Sequence, residues 1–288
     1  MLDPSDVDAA RAAAAHSLLA ISRCRYGPMM YLRQDIYIAR SFAEYGEYSE
    51  GEVEQFRRWL RPGDVAVDIG ANFGSHTIPM AQLVGPTGVV HAFEPQRILF
   101  QILSGNVVLN ELLNVRTLPL AVGRAVGRIK APPVDYRARN NFGGVALNVE
   151  YPFHHEEISL VTLDHLGLKS LRFVKIDVEG MELDVLLGAA ATLARCRPIL
   201  YVENDRVATA EALAAHLLSA GYRLWWHTPP LFNPDNFRRN PNNLFGRIMS
   251  FNMLCLPREM ADAPPDMREI VQPSDASAFL RSFEPRKA

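Results

Sequence analysis

The segment that most constrains this chain is Val65-Ala-Val-Asp-Ile-Gly-Ala-Asn-Phe-Gly74. Its apolar run, broken only by Asp68, ends in a turn with glycines at 70 and 74, and a second run, Gly88-Val-Val-His-Ala-Phe93, stops at Glu94. An apolar strand closing on a glycine turn, then a strand ending in an acid about 20 residues on, is how a doubly wound α/β sheet holds a nucleoside, with the acid on the ribose hydroxyls. The glycines let the backbone bend sharply and approach a ligand with no Cβ in the way.

The loop chemistry narrows the ligand. A diphosphate sits against a helix N-terminus in a G-x-G-x-x-G loop that avoids nearby negative charge. Here the loop reads D-x-G-x-N-x-G. A carboxylate before the first glycine and an amide inside the turn suit a ligand with an ammonium group and a cationic centre, such as S-adenosylmethionine, better than a nicotinamide dinucleotide. Residues 63–123 resemble the first half of a class I methyltransferase, with Asp68, Gly70, Asn72, Gly74 and Glu94 at that family's cofactor positions. By the same resemblance, Ala121 and Val122 lie next to adenine.

The rest of the chain fits one α/β domain with additions. Buried strands and helices alternate: strand 65–69, helix 74–83, strand 88–93, helix 96–110 and strand 115–122, then strand 172–176, helix 181–194, strand 198–202 and helix 208–220. Alternation of this kind means a mostly parallel sheet with helices on both faces. Two further strands, 222–227 and 250–256, form an antiparallel edge hairpin, which makes seven strands in the Rossmann-like class I methyltransferase sheet. Residues 1–60 read as a lead-in, with a helix over Ala9 to Ile21, an extended segment around Met29 to Ala39 and a helix from Gly51 to Leu60. The catalytic domain spans 61–258, with an insert at 124–171 and a Pro- and Asn-rich lid at 228–249. Residues 259–288 read as a loose tail.

Composition sets bounds on partners. With 48% hydrophobic residues in 288, the chain can bury a full core, and 30 Lys and Arg against 32 Asp and Glu give no polyanion-binding surface. Nucleic acid is therefore not expected as the substrate. Cys24, Cys196 and Cys255 are widely spaced, with no zinc or redox pattern, and read as ordinary thiols in a reducing cytoplasm. The alanine- and leucine-rich N-terminus is preceded by Asp3, Asp6 and Asp8 and interrupted by Arg11 and His16. It is read as neither a leader nor a membrane span.

A second cluster carries the chemistry. Phe173-Val-Lys-Ile-Asp-Val-Glu-Gly180 is a strand whose apolar run stops at Lys175, Asp177 and Glu179. Carboxyl ends of strands line the ligand crevice of a parallel sheet, so Asp177 is the first candidate for a catalytic base, with Lys175 orienting it. A structural Lys175–Asp177 ion pair, or a Glu179 that merely starts the next helix, is the plainer alternative. His227, at a strand end near the lid, is a second candidate base. His154 and His155 lack a third ligand at zinc spacing and read as solvated, and His91 reads as core. One of Trp225 and Trp226 must face the core, leaving the other able to stack on an acceptor ring. The Asn140-Asn141-Phe-Gly-Gly144 loop can approach a ligand closely, though turn chemistry alone would also explain it.

Six pieces in order resemble the FkbM family of S-adenosylmethionine-dependent methyltransferases. They are Asp68-Ile-Gly-Ala-Asn-Phe-Gly74, Ala92-Phe-Glu-Pro95, Asn106-Val-Val-Leu-Asn110, Ala121-Val-Gly123, Lys175-Ile-Asp-Val-Glu-Gly-Met-Glu182 followed by Val185-Leu-Leu-Gly188, and Ile199-Leu-Tyr-Val-Glu203. The resemblance covers about Gly46 to Glu203 and implies methyl transfer to a hydroxyl of a sugar, glycan or polyketide-type small molecule. An N-methyltransferase acting on an amine is the alternative within the class; a non-catalytic or NAD-binding relative is a more distant one. Asp177, Glu203 and Asn204 also resemble the magnesium site of catechol O-methyltransferase, and all three offer hard oxygen ligands. The alternative is that Glu203 bonds a loop and Asn204 caps a helix.

Overall fold

The computed structural model describes residues 17–147 and 156–283. Residues 9–16 of the expected first helix, and His154 and His155, lie outside them. The described chain opens on an antiparallel hairpin, β1 (Leu19–Cys24) and β2 (Gly27–Leu32), in place of the end of that helix. Two asparagines, the buried Asn106 and the half-buried Asn110, stitch it to the core. Asn106 accepts the Met30 N–H at 2.6 Å and donates to Met30 O and Phe73 O, while Asn110 donates to Pro28 O at 2.8 Å. The Asn106…Asn110 pair therefore holds the hairpin against the helix Arg97–Leu109. The extended segment ends early, because Asp35 accepts the N–H groups of Tyr37 and Ala39 and starts the helix Ile38–Glu44. The helix Glu50–Trp59 follows.

Among the described residues eight strands form the main sheet: β3 (Val65–Ile69), β4 (Val89–Phe93), β5 (Val115–Leu118), β9 (Phe173–Ile176), β10 (Ile199–Glu203), β11 (Tyr222–His227), β12 (Asn252–Pro257) and β13 (Arg268–Ile270). Their order across the sheet is β13-β11-β12-β10-β9-β3-β4-β5. The pairs from β10 through β5 are parallel; β12 pairs antiparallel with both β10 and β11, giving the expected edge hairpin. From β3 the chain winds outward through β4 and β5, then returns to β9 on the other side. The crevice between the β3 and β9 ends is the topological switch point, where ligands bind in such sheets.

Three further features differ from the sequence expectation, each for a local reason. The strand expected over 115–122 splits: Pro119 cannot donate to a ladder, so β5 stops at Leu118, and β6 (Ala121–Val122) joins β7 (Gly127–Ala131) and β8 (Glu156–Val161) in a separate small sheet. The helix expected over 181–194 is two, Glu182–Leu187 and Ala190–Cys196. A Cβ on Gly188 would lie 2.0 Å from Gly123 O, and Asp164 caps the second helix by accepting the Ala191 and Thr192 N–H groups.

The third correction is the tail, which is structured and makes the sheet eight-stranded rather than seven. β13 pairs antiparallel with β11, and the helix Pro273–Arg281 packs on the helix Val207–Ser219. Asp275 accepts the N–H groups of Val271 and Gln272 at 3.0 Å and so fixes the start of that last helix. Trp225 and Trp226 are both buried, in cores on opposite faces, and Trp226 stacks on Phe279 with ring centroids 4.8 Å apart. Neither indole is free for an acceptor.

The 228–249 loop docks on the N-terminal segment. Tyr45 donates its hydroxyl to Asn242 O and accepts the Leu244 N–H, and Glu47 accepts from Asn233 and the Phe237 N–H. The three cysteines are free thiols. Among the described residues no helix is long and apolar enough to cross a membrane.

Candidate active site

The β3 turn forms the floor of a cleft. Gly70 and Ala71 donate their N–H groups to Phe93 O, and the Asp177 N–H reaches Ile69 O at 3.0 Å, so three strand ends are drawn together. Gly70 has φ +83°, and a Cβ there would sit 1.8 Å from Asp177 O. Only glycine fits this approach. Gly70→Ala should cost about 2–5 kcal/mol, from steric overlap and left-handed strain together. Urea denaturation checks this; a midpoint equal to wild type would mean the β9 end yields freely. Gly74 has φ +88°, and a Cβ there would lie 2.9 Å from Leu103 Cδ1, so it serves packing before the next helix rather than the cleft wall.

Glu94 lines the cleft from the end of β4, and both of its oxygens are anchored. Oε2 accepts the Asn72 N–H and Oε1 the Gln96 N–H, each at 2.8 Å. Burial pushes its carboxyl up to about 7 despite these bonds. Each oxygen keeps a lone pair, so a pair of ligand hydroxyls can donate to a carboxylate that is already oriented. Ala121, Val122, Leu120 and Leu147 supply an apolar slot on the same side. Asn141, Gly143, Gly144 and Val145 also line the cleft, and their loop is tied down where Gln96 donates its amide to Phe142 O at 2.8 Å.

Asp68 stands behind the wall. It is fully buried, accepts the Thr77 hydroxyl at 2.6 Å and lies 3.7 Å from Lys175 Nζ. Lys175 is 2% exposed and reaches Asp177 at 3.1 Å. Burial opposes its charge most strongly, yet Asp177, Asp68 and Glu52 together hold its pKa above the usual lysine range. The ion pair is thus real, and it also fixes the rotamer of Asp177, whose half-exposed carboxylate faces the cleft.

Glu179 and Glu203 bring their carboxylates beside Asp177, with one oxygen from each of the three within 4.8 Å of the others. Glu179 already carries a cation, since Arg206 Nη2 is bonded to its Oε2, and burial and Asp177 push its carboxyl up to about 7. Asn204 does not join them. It is 3% exposed, turns its amide to Met253 Sδ on β12 and lines no part of the cleft. Its Oδ1 has no hydrogen-bond partner among the described residues, and the carboxylate set that meets in the cleft is Asp177, Glu179 and Glu203 rather than the Asp177, Glu203 and Asn204 set expected for magnesium.

His227 is likewise set apart. Its Nδ1 pairs with the Tyr201 hydroxyl at 2.7 Å, burial pushes it down to about 4, and it is not part of the cleft lining.

Several lining residues carry no motif. Tyr37, Ile38 and Tyr48 come from the N-terminal segment, and Ser75 and His76 from the turn after Gly74. His76 is 4% exposed, and burial and Lys175 push its pKa well below the usual value, leaving a neutral ring 3.9 Å from Glu52. The signal for Gln96 was its place two residues after Glu94; the aromatic lining had none, because it depends on where the lead-in folds back.

An eight-stranded, mostly parallel sheet with a cleft at its switch point defines a methyltransferase-like α/β fold. The Methyltransferase FkbM domain matches residues 68–224, and the chain belongs to that methyltransferase family. The 31-O-demethyl-FK506 methyltransferase FkbM of Streptomyces tacrolimicus is 29% identical over 243 residues, which cover 74% of this chain and 88% of that protein. Among solved structures, the methyltransferase FkbM from Methylobacillus flagellatus KT has a TM-score of 0.46 at 18% identity, over 71% of this chain and 50% of that one. This chain therefore spans about half the length of that protein. A SAM-dependent methyltransferase from Aquifex aeolicus has a TM-score of 0.41 at 13% identity, over 89% of this chain and 99% of its own.

Proposed function

We propose that this methyltransferase uses S-adenosylmethionine to O-methylate a hydroxyl of a sugar, glycan or polyketide-type small molecule. The observation that carries the reading is the anchored Glu94 carboxylate beside the Ala121–Val122 slot, a pairing that suits ribose hydroxyls and an adenine ring. The Gly70 turn and Asn72 provide the close backbone floor, and Asp68 acts from behind by holding Lys175 and Thr77 in place. S-adenosylmethionine would supply a methyl group on a cationic sulfur. Asp177 then takes the proton of the acceptor hydroxyl, whose own pKa lies far above 7, while Lys175 holds the carboxylate in one orientation. Fixing the acceptor oxygen in line with the transferring carbon contributes ~7–11 kcal/mol of barrier reduction. The 31-O-demethyl-FK506 acceptor in the name of the Streptomyces relative supports an oxygen acceptor.

The direct test is calorimetric titration with S-adenosylhomocysteine and, separately, with NAD. Micromolar binding of S-adenosylhomocysteine alone is expected, followed by methyl transfer to hydroxyl acceptors in a screen with labelled donor. Binding of NAD alone would overturn the cofactor assignment, and transfer only to amines would replace O- by N-methylation.

A further inference from the structure

The roof of the cleft is assembled from segments far apart in sequence, and one side chain joins them. Asp35 is 3% exposed and lies upstream of the family match. Its Oδ1 accepts the N–H groups of Tyr37 at 3.1 Å and Ala39 at 3.0 Å, and its Oδ2 accepts the Phe142 N–H at 3.3 Å. Backbone bonds flank this junction on both sides: Ile36 N–H to Asn140 O and Asn140 N–H to Gln34 O, each at 3.1 Å. Tyr37 and Ile38 on one segment, and Asn141, Gly143 and Gly144 on the other, face the cleft. The second segment lies directly on the ligand loop, since a Cβ on Gly143 would be 2.7 Å from Asn72 Nδ2.

We propose that Asp35 is a positioning residue for the methyl donor, clamping the N-terminal segment to the 140–147 loop so that the two close over the bound nucleoside. The proposal rests on the S-adenosylmethionine reading above. Two of the bonds to this buried carboxylate fix its own segment, and the third, from the Phe142 N–H, is the charge-assisted link to the loop. A ligand leaving the cleft must break or bypass it, so the clamp governs dissociation more than folding. The lead-in, which the family match does not reach, thereby becomes part of the donor site.

Asp35→Asn isolates the effect. The amide oxygen retains the bonds to Tyr37 and Ala39 and so keeps the helix start, while an NH2 group is turned against the Phe142 N–H and loosens the loop beyond the Asn140 backbone bonds. Stopped-flow measurement of S-adenosylhomocysteine dissociation should show release accelerated about tenfold or more, the effect of losing one bond to a charged group. Asp164→Asn is the control. It disturbs a comparable carboxylate clamp on the Ala191 and Thr192 N–H groups, at residues that do not line the cleft, and should leave release unchanged.

Faster release in Asp35→Asn alone, with both variants melting alike, supports the clamp. Equal release rates for wild type and Asp35→Asn, or equal acceleration in both variants, overturn it. Wild-type protein that binds no S-adenosylhomocysteine overturns the cofactor reading and the clamp with it, an outcome distinct from the kinetic one.

Discussion

Asp177→Asn should cut methyl transfer by about 10²–10⁴, the contribution of a positioned general base, while leaving S-adenosylhomocysteine affinity nearly unchanged. The reason lies in how the residue is held. Its main-chain N–H joins β9 to β3 through Ile69 O, a bond the substitution keeps, and its side chain is fixed by Lys175 rather than by Glu94 or the Ala121–Val122 slot. The amide is isosteric but cannot take up a proton at neutral pH. Single-turnover rates with a hydroxyl acceptor, measured alongside calorimetry, separate the two effects. Full activity in the variant would remove Asp177 from the mechanism. A parallel loss of donor affinity would make it a binding residue instead.

Glu94→Ala should weaken S-adenosylhomocysteine binding by more than tenfold. Charge-assisted hydrogen bonds to two ribose hydroxyls contribute ~1.5–3 kcal/mol each, and the substitution also leaves the Asn72 and Gln96 N–H groups without their acceptor. Unchanged affinity would exclude Glu94 from the ligand contact. The carboxyl titrates at about 7, so pH offers an independent check. Ribose hydroxyls donate to the ionised form; affinity should therefore be full above pH 8 and fall as pH drops through 7, with most of the slope gone in Glu94→Gln. Stability runs the other way. A pKa raised above that of the unfolded chain favours the folded protein while the group is protonated, and that contribution is lost as pH rises from the usual carboxylate range through 7.

Most of the core fold was legible in the sequence, because strand and helix periodicities are local and the parallel α/β alternation admits few topologies. The glycine turn at 70, the acid at Glu94 and the Lys175–Asp177 strand end were legible for the same reason: each sits where a strand meets the crevice. Their division of labour was not. Asp68 and Gly74 share the motif with Asn72 and Glu94, yet one lies behind the wall against Thr77 and Lys175, and the other packs on Leu103. A motif fixes spacing along the chain, while burial is set by what packs against it.

The additions escaped for physical reasons of the same kind. Helix propensity in the alanine-rich lead-in gives way by Leu19, where β1 pairs with β2 and the hairpin is fastened by Asn106 and Asn110 from a helix some 80 residues on. The tail carries prolines and charges, but Ile270, Ala276 and Leu280 find a ready apolar surface on β11 and the helix Val207–Ser219. The sequence alone determined the class of sheet, its crevice and the carboxylates at the crevice mouth, since these follow from short-range pattern and strand direction. Only the tertiary structure decided which carboxylates face the cleft, that Asn204 and His227 do not, and that Tyr37 and Tyr48 come from afar to line it. Those outcomes depend on contacts between segments that have no fixed spacing along the chain.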